Sequence, residues 1–541
     1  MHTIQSWQAL EERLLSSSAG RQWKKIGVRH HHGINVPLSA LHSEASPRIG
    51  VFADLVPLAQ WCASIGFDVI QLLPLNDSGK DPSPYNALSA FALNPIYLSL
   101  SHLPKIDEHP DLLDTIYELH TFKVDQRIDY QKVLSFKHHF LLEYYLREYD
   151  SVASSASYLE FLARNTWLGD YALFKTLKIE HNWQSWETWE SEISHPSAET
   201  KQKLAAKHEP GVAFHSFLQY LCFQQMSQVK AEASKKGVFI KGDIPILLSP
   251  DSADVWSHRE LFNREMTAGA PPDMYSEKGQ NWGFPLYNWA AMEQQGYSWW
   301  QQRLEVASQY YHLYRLDHIV GFFRIWGIPH GLEAKAGSFI PLDKSPSKAI
   351  WVAHGRKILQ MMLNFCSMLP IGEDLGTIPP EVRVCMREMG ICGTKVMRWE
   401  RWWDEDRRFL KPEEYIPESM TTVSTHDSEI VELWWQNNRD EARLYSAFKG
   451  WEYFEQLPDA QKKSILWDSH HTSSLFHINL LQEYLSLFPE MAWPNREDER
   501  INFPGLVSDK NWTYRFRPSI EKIIADKPLA DMMRELIAPA D

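Results

Sequence analysis

Short apolar runs that stop at a proline or an acidic residue recur along the chain. Val69-Ile70-Gln71-Leu72-Leu73-Pro74, Gly237 to Asp243, Tyr311 to Asp317, Leu369 to Asp374 and Thr421 to Asp427 all follow this plan. Each sets a few apolar or β-branched residues before a polar loop, as strands buried on both faces do. Between them lie segments with helical spacing, such as Leu55 to Ile65 and Tyr297 to Tyr310. Alternation of strand and helix predicts a parallel sheet, and its repetition favours an α/β fold of the (β/α)8 TIM-barrel type. The first barrel strand is placed near residue 69. A minimal barrel spends roughly 30 residues on each strand and helix. Thr394 to Met397 then supplies a strand between Glu373 and Asp427, and the interval from Asp317 to Glu373 holds one decorated unit or two plain ones. From about 105 to 230 the pattern breaks, and Phe136, Phe140, Leu141, Tyr144 and Tyr145 fall at helical spacing. We read 1–541 as one barrel with a mainly helical insertion there and an aromatic-rich substrate loop at about 269–289.

Charge narrows the partners. The 541 residues carry a formal net charge of −14, which opposes binding to nucleic acid or to an anionic membrane. The first residues have no basic segment followed by an apolar core, and no apolar window is long enough to cross a bilayer. The five cysteines contain no C-x-x-C and read as reduced thiols of a cytoplasmic protein. A metal site on Asp317-His318 and His426-Asp427 is the competing reading, but no H-x-x-x-H, H-E-x-x-H or D-x-D-x-D-G pattern supports it, and a glycosidic displacement by carboxyl groups needs neither a metal nor an organic cofactor. His30-His31-His32 reads as an exposed turn with one packed imidazole.

Asp243, Asp317, Glu373 and Asp427 end strands on one presumed barrel rim, where catalytic groups of such barrels sit. A retaining glycosidic displacement needs two carboxyl groups, one ionised to attack and one protonated to expel the leaving oxygen. Arg315, two positions before Asp317, would point to the same side of the strand and favour the ionised form, so Asp317 is the better nucleophile. Glu373 beside Asp374 would have a raised pKa suited to a proton donor.

Aromatic residues reach 13%, with 23 Trp against 25 Gly. Many must be core, but Tyr85 and Trp282 fall in turn-rich polar segments, with Tyr275, Tyr287 and Trp289 near the latter. An aromatic plate flanked by carboxylates and amides suits a sugar ring, which has apolar faces and a hydroxyl rim.

Several blocks in order then carry a resemblance. They are Ser83-Pro84-Tyr85, Lys241-Gly242-Asp243, Gly269 to Asp273, Asn281-Trp282-Gly283, Arg315-Leu316-Asp317-His318, Glu373-Asp374-Leu375-Gly376, Thr425-His426-Asp427, Asn502 and Asn511-Trp512. From about Gly33 to Trp512 the chain resembles the 4-α-glucanotransferases, the amylomaltases or disproportionating enzymes. Some blocks look closer to the plant cytosolic type, though the starch-binding modules of that type do not fit before the first strand. The resemblance implies a TIM barrel with inserted subdomains and no separate C-terminal β-domain. It implies Asp317 as nucleophile, Glu373 as acid/base and Asp427 as transition-state stabiliser. Tyr85, Ser83, Asp243, Asp273, Asn281, Trp282, Arg315 and His426 would bind substrate. The implied substrate is maltose, a maltooligosaccharide or a glycogen-like α-glucan, within maltodextrin and glycogen metabolism. A retaining α-glucan hydrolase of the amylase type and a non-catalytic glucan-binding scaffold are the alternatives. Ser428, after the His-Asp pair, departs from the Asn usual in bacterial members.

Overall fold

A computed structural model of the protein describes residues 6–119, 125–272, 277–341, 348–403 and 405–539. Among them, eight strands share one parallel sheet. They are β1 His31–Val36, β2 Val69–Leu72, β3 Phe239–Ile244, β4 Leu313–Leu316, β5 Leu369–Gly372, β6 Gly393–Val396, β7 Ser419–Thr422 and β8 Phe476–Leu480. Their order around the sheet is their order in the chain. The edges β5 and β6 meet through a parallel bridge between Ile371 and Cys392, where the Gly372 N–H donates to the Cys392 carbonyl at 2.8 Å. The sheet therefore closes into a (β/α)8 barrel. Its strands are buried almost throughout, because side chains fill the inside and helices cover the outside.

The first barrel strand is β1, not the run at 69, which is β2. Neither β1, His31-His32-Gly33-Ile34-Asn35-Val36, nor β8, Phe476-His477-Ile478-Asn479-Leu480, is a continuous apolar run, which is why both escaped the pattern. The histidine triplet is thus not an exposed turn. His31 is fully buried, stacks on Phe476 and hydrogen-bonds Asp68 at 2.8 Å. His32 stacks on His477 with ring centroids 5.0 Å apart, and its Nδ1 lies 3.0 Å from His470 Nδ1. Gly33 has no alternative, since a Cβ there would stand 2.5 Å from the Val69 carbonyl oxygen.

This imidazole cluster should make the fold acid-sensitive. Burial pushes His32 down to about 4, although Asp68 pulls the other way. Burial also holds His470 and His477 well below the ordinary range, with repulsion from His32 next. The unfolded chain takes up these protons first, near pH 6.5. The cluster's contribution is therefore intact above pH 6.5 and is lost as pH falls toward about 4. Thermal midpoints should drop between pH 7 and pH 5, and His32→Asn should flatten that dependence. An unchanged slope in the variant would refute the assignment.

Between β2 and β3 the described residues are mainly helical, in Pro110–Glu118, Tyr130–Ala153, Ala156–Arg164, Leu168–Glu180, Ala198–Lys207 and Glu209–Lys235. A second, four-stranded antiparallel sheet stands over the barrel, built from Gln280–Tyr287, Phe262–Ala270, Ile325–Pro329 and Ser338–Ile340 in that order. The segment read as a loop at 269–289 is thus largely the return arm of a hairpin, while Asp273 and Tyr275 lie outside the described residues. The last two strands of this sheet fall between β4 and β5, which pair directly, so that interval is one decorated unit. Among the described residues no strand follows β8, and no helix is long and apolar enough to cross a membrane. All five cysteines are buried and unbridged.

Candidate active site

Strand register brings the charged groups together. Asp243 at the end of β3 and Arg315 on β4 are direct Cα partners, and Arg315 in turn pairs with Ile371 on β5. Side chains alternate along a strand, so Arg315 and Asp317 share one side. Arg315 Nη1 donates to both oxygens of Asp243 at 3.0 Å and lies 2.7 Å from Asp317 Oδ1. Its Nη2 stands 3.8 Å from Glu373 Oε2. One guanidinium thus serves three carboxyl groups. Burial works against its charge, but Asp243 and Asp317 outweigh that and hold Arg315 well above its usual range.

Glu373, one step beyond β5, is fixed by two backbone donors. The His318 N–H reaches Oε2 at 3.0 Å and the Leu375 N–H reaches Oε1 at 2.8 Å. His318 aims its amide there from a left-handed conformation, φ 43°, right after Asp317. Burial pushes the Glu373 carboxyl up to about 7, with Arg315 opposing and Asp317 reinforcing. Asp374 raises it too, as the sequence argument expected, but ranks behind burial and Asp317 among the causes. Its own carboxylate is turned aside, accepting from the Thr394 N–H at 2.7 Å and from Arg383 Nε at 2.8 Å, and so ties β5 to β6.

Asp427 enters from the loop after β7. Asn502 Nδ2 donates to its Oδ1 at 2.7 Å, and His426 Nε2 lies 3.3 Å from Oδ2. Burial would raise its carboxyl, but His426 and Asn502 outweigh that and hold it below the usual range. The reverse holds for His426, where Asp427 overcomes burial and raises the imidazole. Ser428 closes this turn, its Oγ accepting from the Thr425 N–H at 2.9 Å.

Tyr85 joins the two charge systems. Its hydroxyl donates to Asp243 Oδ2 at 2.7 Å and lies 3.0 Å from His426 Nε2, while the rings of Tyr85 and His426 stack at 5.4 Å. The loop that carries Tyr85 is anchored by Asp77, which accepts from Tyr171 and Lys175 of the inserted helix Leu168–Glu180, each at 2.6 Å. The insertion thereby helps to place a residue of the cleft.

These groups line or underlie a cleft of about 470 Å³. Tyr85, Arg315, Asp317, Glu373, His426 and Asp427 reach it, as does Trp282, whose ring meets His318 edge-on at 5.0 Å. Asp243 does not, being 2% exposed beneath Arg315 and Tyr85. Ser83 and Asn281 are not among the lining residues either. The Ser83 N–H donates to Asp81 Oδ1 at 2.8 Å in the loop that presents Tyr85, and exposed Asn281 accepts from the Gly283 N–H at a hairpin bend. Asp273 is outside the described residues. The cleft also includes Trp399, which went unnamed in the sequence, and Gln280, Phe284, Asn502 and Trp512, which belong to the motif segments but were not assigned to the site. Trp399 had one available signal, the cluster Trp399, Trp402 and Trp403 just after the predicted strand at 394. No group of residues suited to hold a metal ion is present among the described residues.

A family profile described as 4-alpha-glucanotransferase, from glycoside hydrolase family 77, matches residues 36–521. A 4-alpha-glucanotransferase of Chlamydia pneumoniae is 42% identical, the match covering 96% of this chain and 98% of the relative. One of Oryza sativa subsp. japonica is 27% identical, over 97% of this chain and 70% of its own. The solved amylomaltase of Streptococcus agalactiae in complex with acarbose has the same fold, with a TM-score of 0.77 at 23% identity, covering 94% of this chain and 98% of that one. The chain belongs to the 4-α-glucanotransferase family of glycoside hydrolases.

Proposed function

We propose that this enzyme moves glucosyl or maltooligosyl units between α-1,4-glucans through a covalent intermediate on Asp317. The observation that carries the reading is the single buried guanidinium of Arg315, which contacts Asp317 and faces Glu373 from adjacent strand ends. Asp317 attacks the anomeric carbon while Glu373 gives its proton to the departing glycosidic oxygen. Glu373 then takes the proton of the 4-hydroxyl of an acceptor glucan, which displaces Asp317 and restores the α-1,4 bond. Two inversions give net retention. Asp427, steadied by Asn502 and His426, hydrogen-bonds hydroxyls of the distorted donor sugar. Tyr85 and Trp282 supply sugar-facing rings. Maltooligosaccharides and glycogen-like glucans are the substrates, and the five unbridged cysteines suit a reducing cytoplasm.

Incubation with maltotriose should yield glucose and a ladder of longer oligomers at constant total reducing ends. Rising reducing ends would mean that water is the acceptor, and the transfer reading would fall. A protein that binds maltotriose yet leaves it unchanged would be a scaffold.

A further inference from the structure

Beyond the cleft the chain after β6 forms a short ribbon. The Trp402 N–H bonds the Arg408 carbonyl, the Leu410 N–H bonds the Glu400 carbonyl, and Arg401 bridges Phe409. Its base is clamped by Glu414, which accepts from Arg408 through both oxygens, at 2.6 and 2.7 Å. At the turn end stands Trp403, 50% exposed among charged neighbours. This indole is held in place. Its Nε1 donates to the carbonyl of Trp399, the residue that walls the cleft, at 3.3 Å. The guanidinium of Arg401 sits 5.3 Å from its ring centroid, and Arg401 is itself packed over Phe409 and paired with Glu441. A large ring ordered from its own side and half open to water costs apolar exposure that core packing does not explain.

A cleft of about 470 Å³ suits only a short length of polysaccharide, so a longer chain has to continue over the rim. The rim above β6 offers Trp399 on the cleft wall and, outside it, Trp403, whose indole N–H bonds the Trp399 main-chain carbonyl. We propose that Trp403 is an outer subsite on which an α-1,4-glucan too long for the cleft stacks as it passes Trp399. The inference rests on the glucan-transfer reading of the cleft and extends it to substrate length. Selectivity for longer chains would then come from a platform outside the reacting carboxylates.

Equilibrium binding of maltoheptaose and of maltotriose separates this from a packing role. Calorimetry on the full-length Asp317→Asn protein avoids turnover, with Trp403→Ala and Trp403→Phe added to it. Removing one sugar platform should weaken maltoheptaose about tenfold, the equivalent of about 1.4 kcal/mol. Maltotriose should change less than twofold, and Trp403→Phe should recover most of the maltoheptaose affinity. Equal weakening of both sugars, or of neither, would overturn the platform. Failure of the wild-type enzyme to transfer from maltotriose would instead overturn the proposed activity, and the binding difference would still decide the role of Trp403.

Discussion

Asp317→Asn should abolish turnover while leaving the protein folded. The replacement keeps the shape of the side chain, and its amide oxygen can still accept from Arg315, which retains Asp243 as a full partner at 3.0 Å. What it removes is the electron pair that forms the glycosyl ester. Loss of a nucleophile in a concerted set of groups lowers kcat by about 10⁴-fold or more. Maltotriose disproportionation should therefore vanish into background, with circular dichroism and thermal midpoint close to wild type. The smaller variant Asp317→Ala supplies the complement. It opens space at the anomeric carbon, so added azide should restore partial turnover of a donor with an activated leaving group. Normal kcat in Asp317→Asn would remove Asp317 from the chemistry, whatever its place beside Arg315.

Much of this site was legible because a buried parallel strand leaves a continuous apolar run and its acidic end is then conspicuous. Asp243, Asp317 and Glu373 were found by that signature, Asp427 by the β-branched run before it although it stands in the loop beyond β7, and the alternation of side chains put Arg315 beside Asp317. The strands that escaped are those whose polar side chains find partners on other elements, His32, His477 and Asn479 on the face turned from the cleft toward the surrounding helices. His31 on β1 and His477 and Asn479 on β8 are buried and His32 half-buried, with Asp68, His470 and Tyr484 as partners, and nothing in a single strand's own composition announces those partners. Proximity in sequence gave only part of the cause of the raised Glu373 carboxyl. Asp374 adjoins Glu373 but is turned into the β5–β6 contact, whereas Asp317, distant in the chain, is the nearer charge in effect. Ser83 and Asn281 belong to motifs whose neighbours reach the cleft, yet each is spent on bracing its own turn.

Glu373→Gln should cost about 10²- to 10⁴-fold in transfer from maltotriose and should erase the alkaline limb of the pH profile. The sign follows from which form each half-reaction needs. Departure of a sugar alkoxide requires the protonated acid, and burial holds Glu373 near 7, so donor cleavage should fall as pH rises through about 7. The second half-reaction needs the opposite form, and the same neighbours supply it. Asp317 raises the Glu373 carboxyl only while it is charged. Once Asp317 is esterified that contribution is gone, whereas the lowering effect of Arg315 remains, so Glu373 becomes the stronger acid and releases its proton at neutral pH. On the proposed roles, acid and base would thus alternate through the charge of Asp317 itself. A glucosyl donor with an acidic phenol as leaving group needs little protonation, and its cleavage by Glu373→Gln should be far less impaired than that of maltotriose. Initial rates for both donors from pH 5 to 9 test this, and an alkaline limb that persists unmoved in Glu373→Gln would assign the titration to another group.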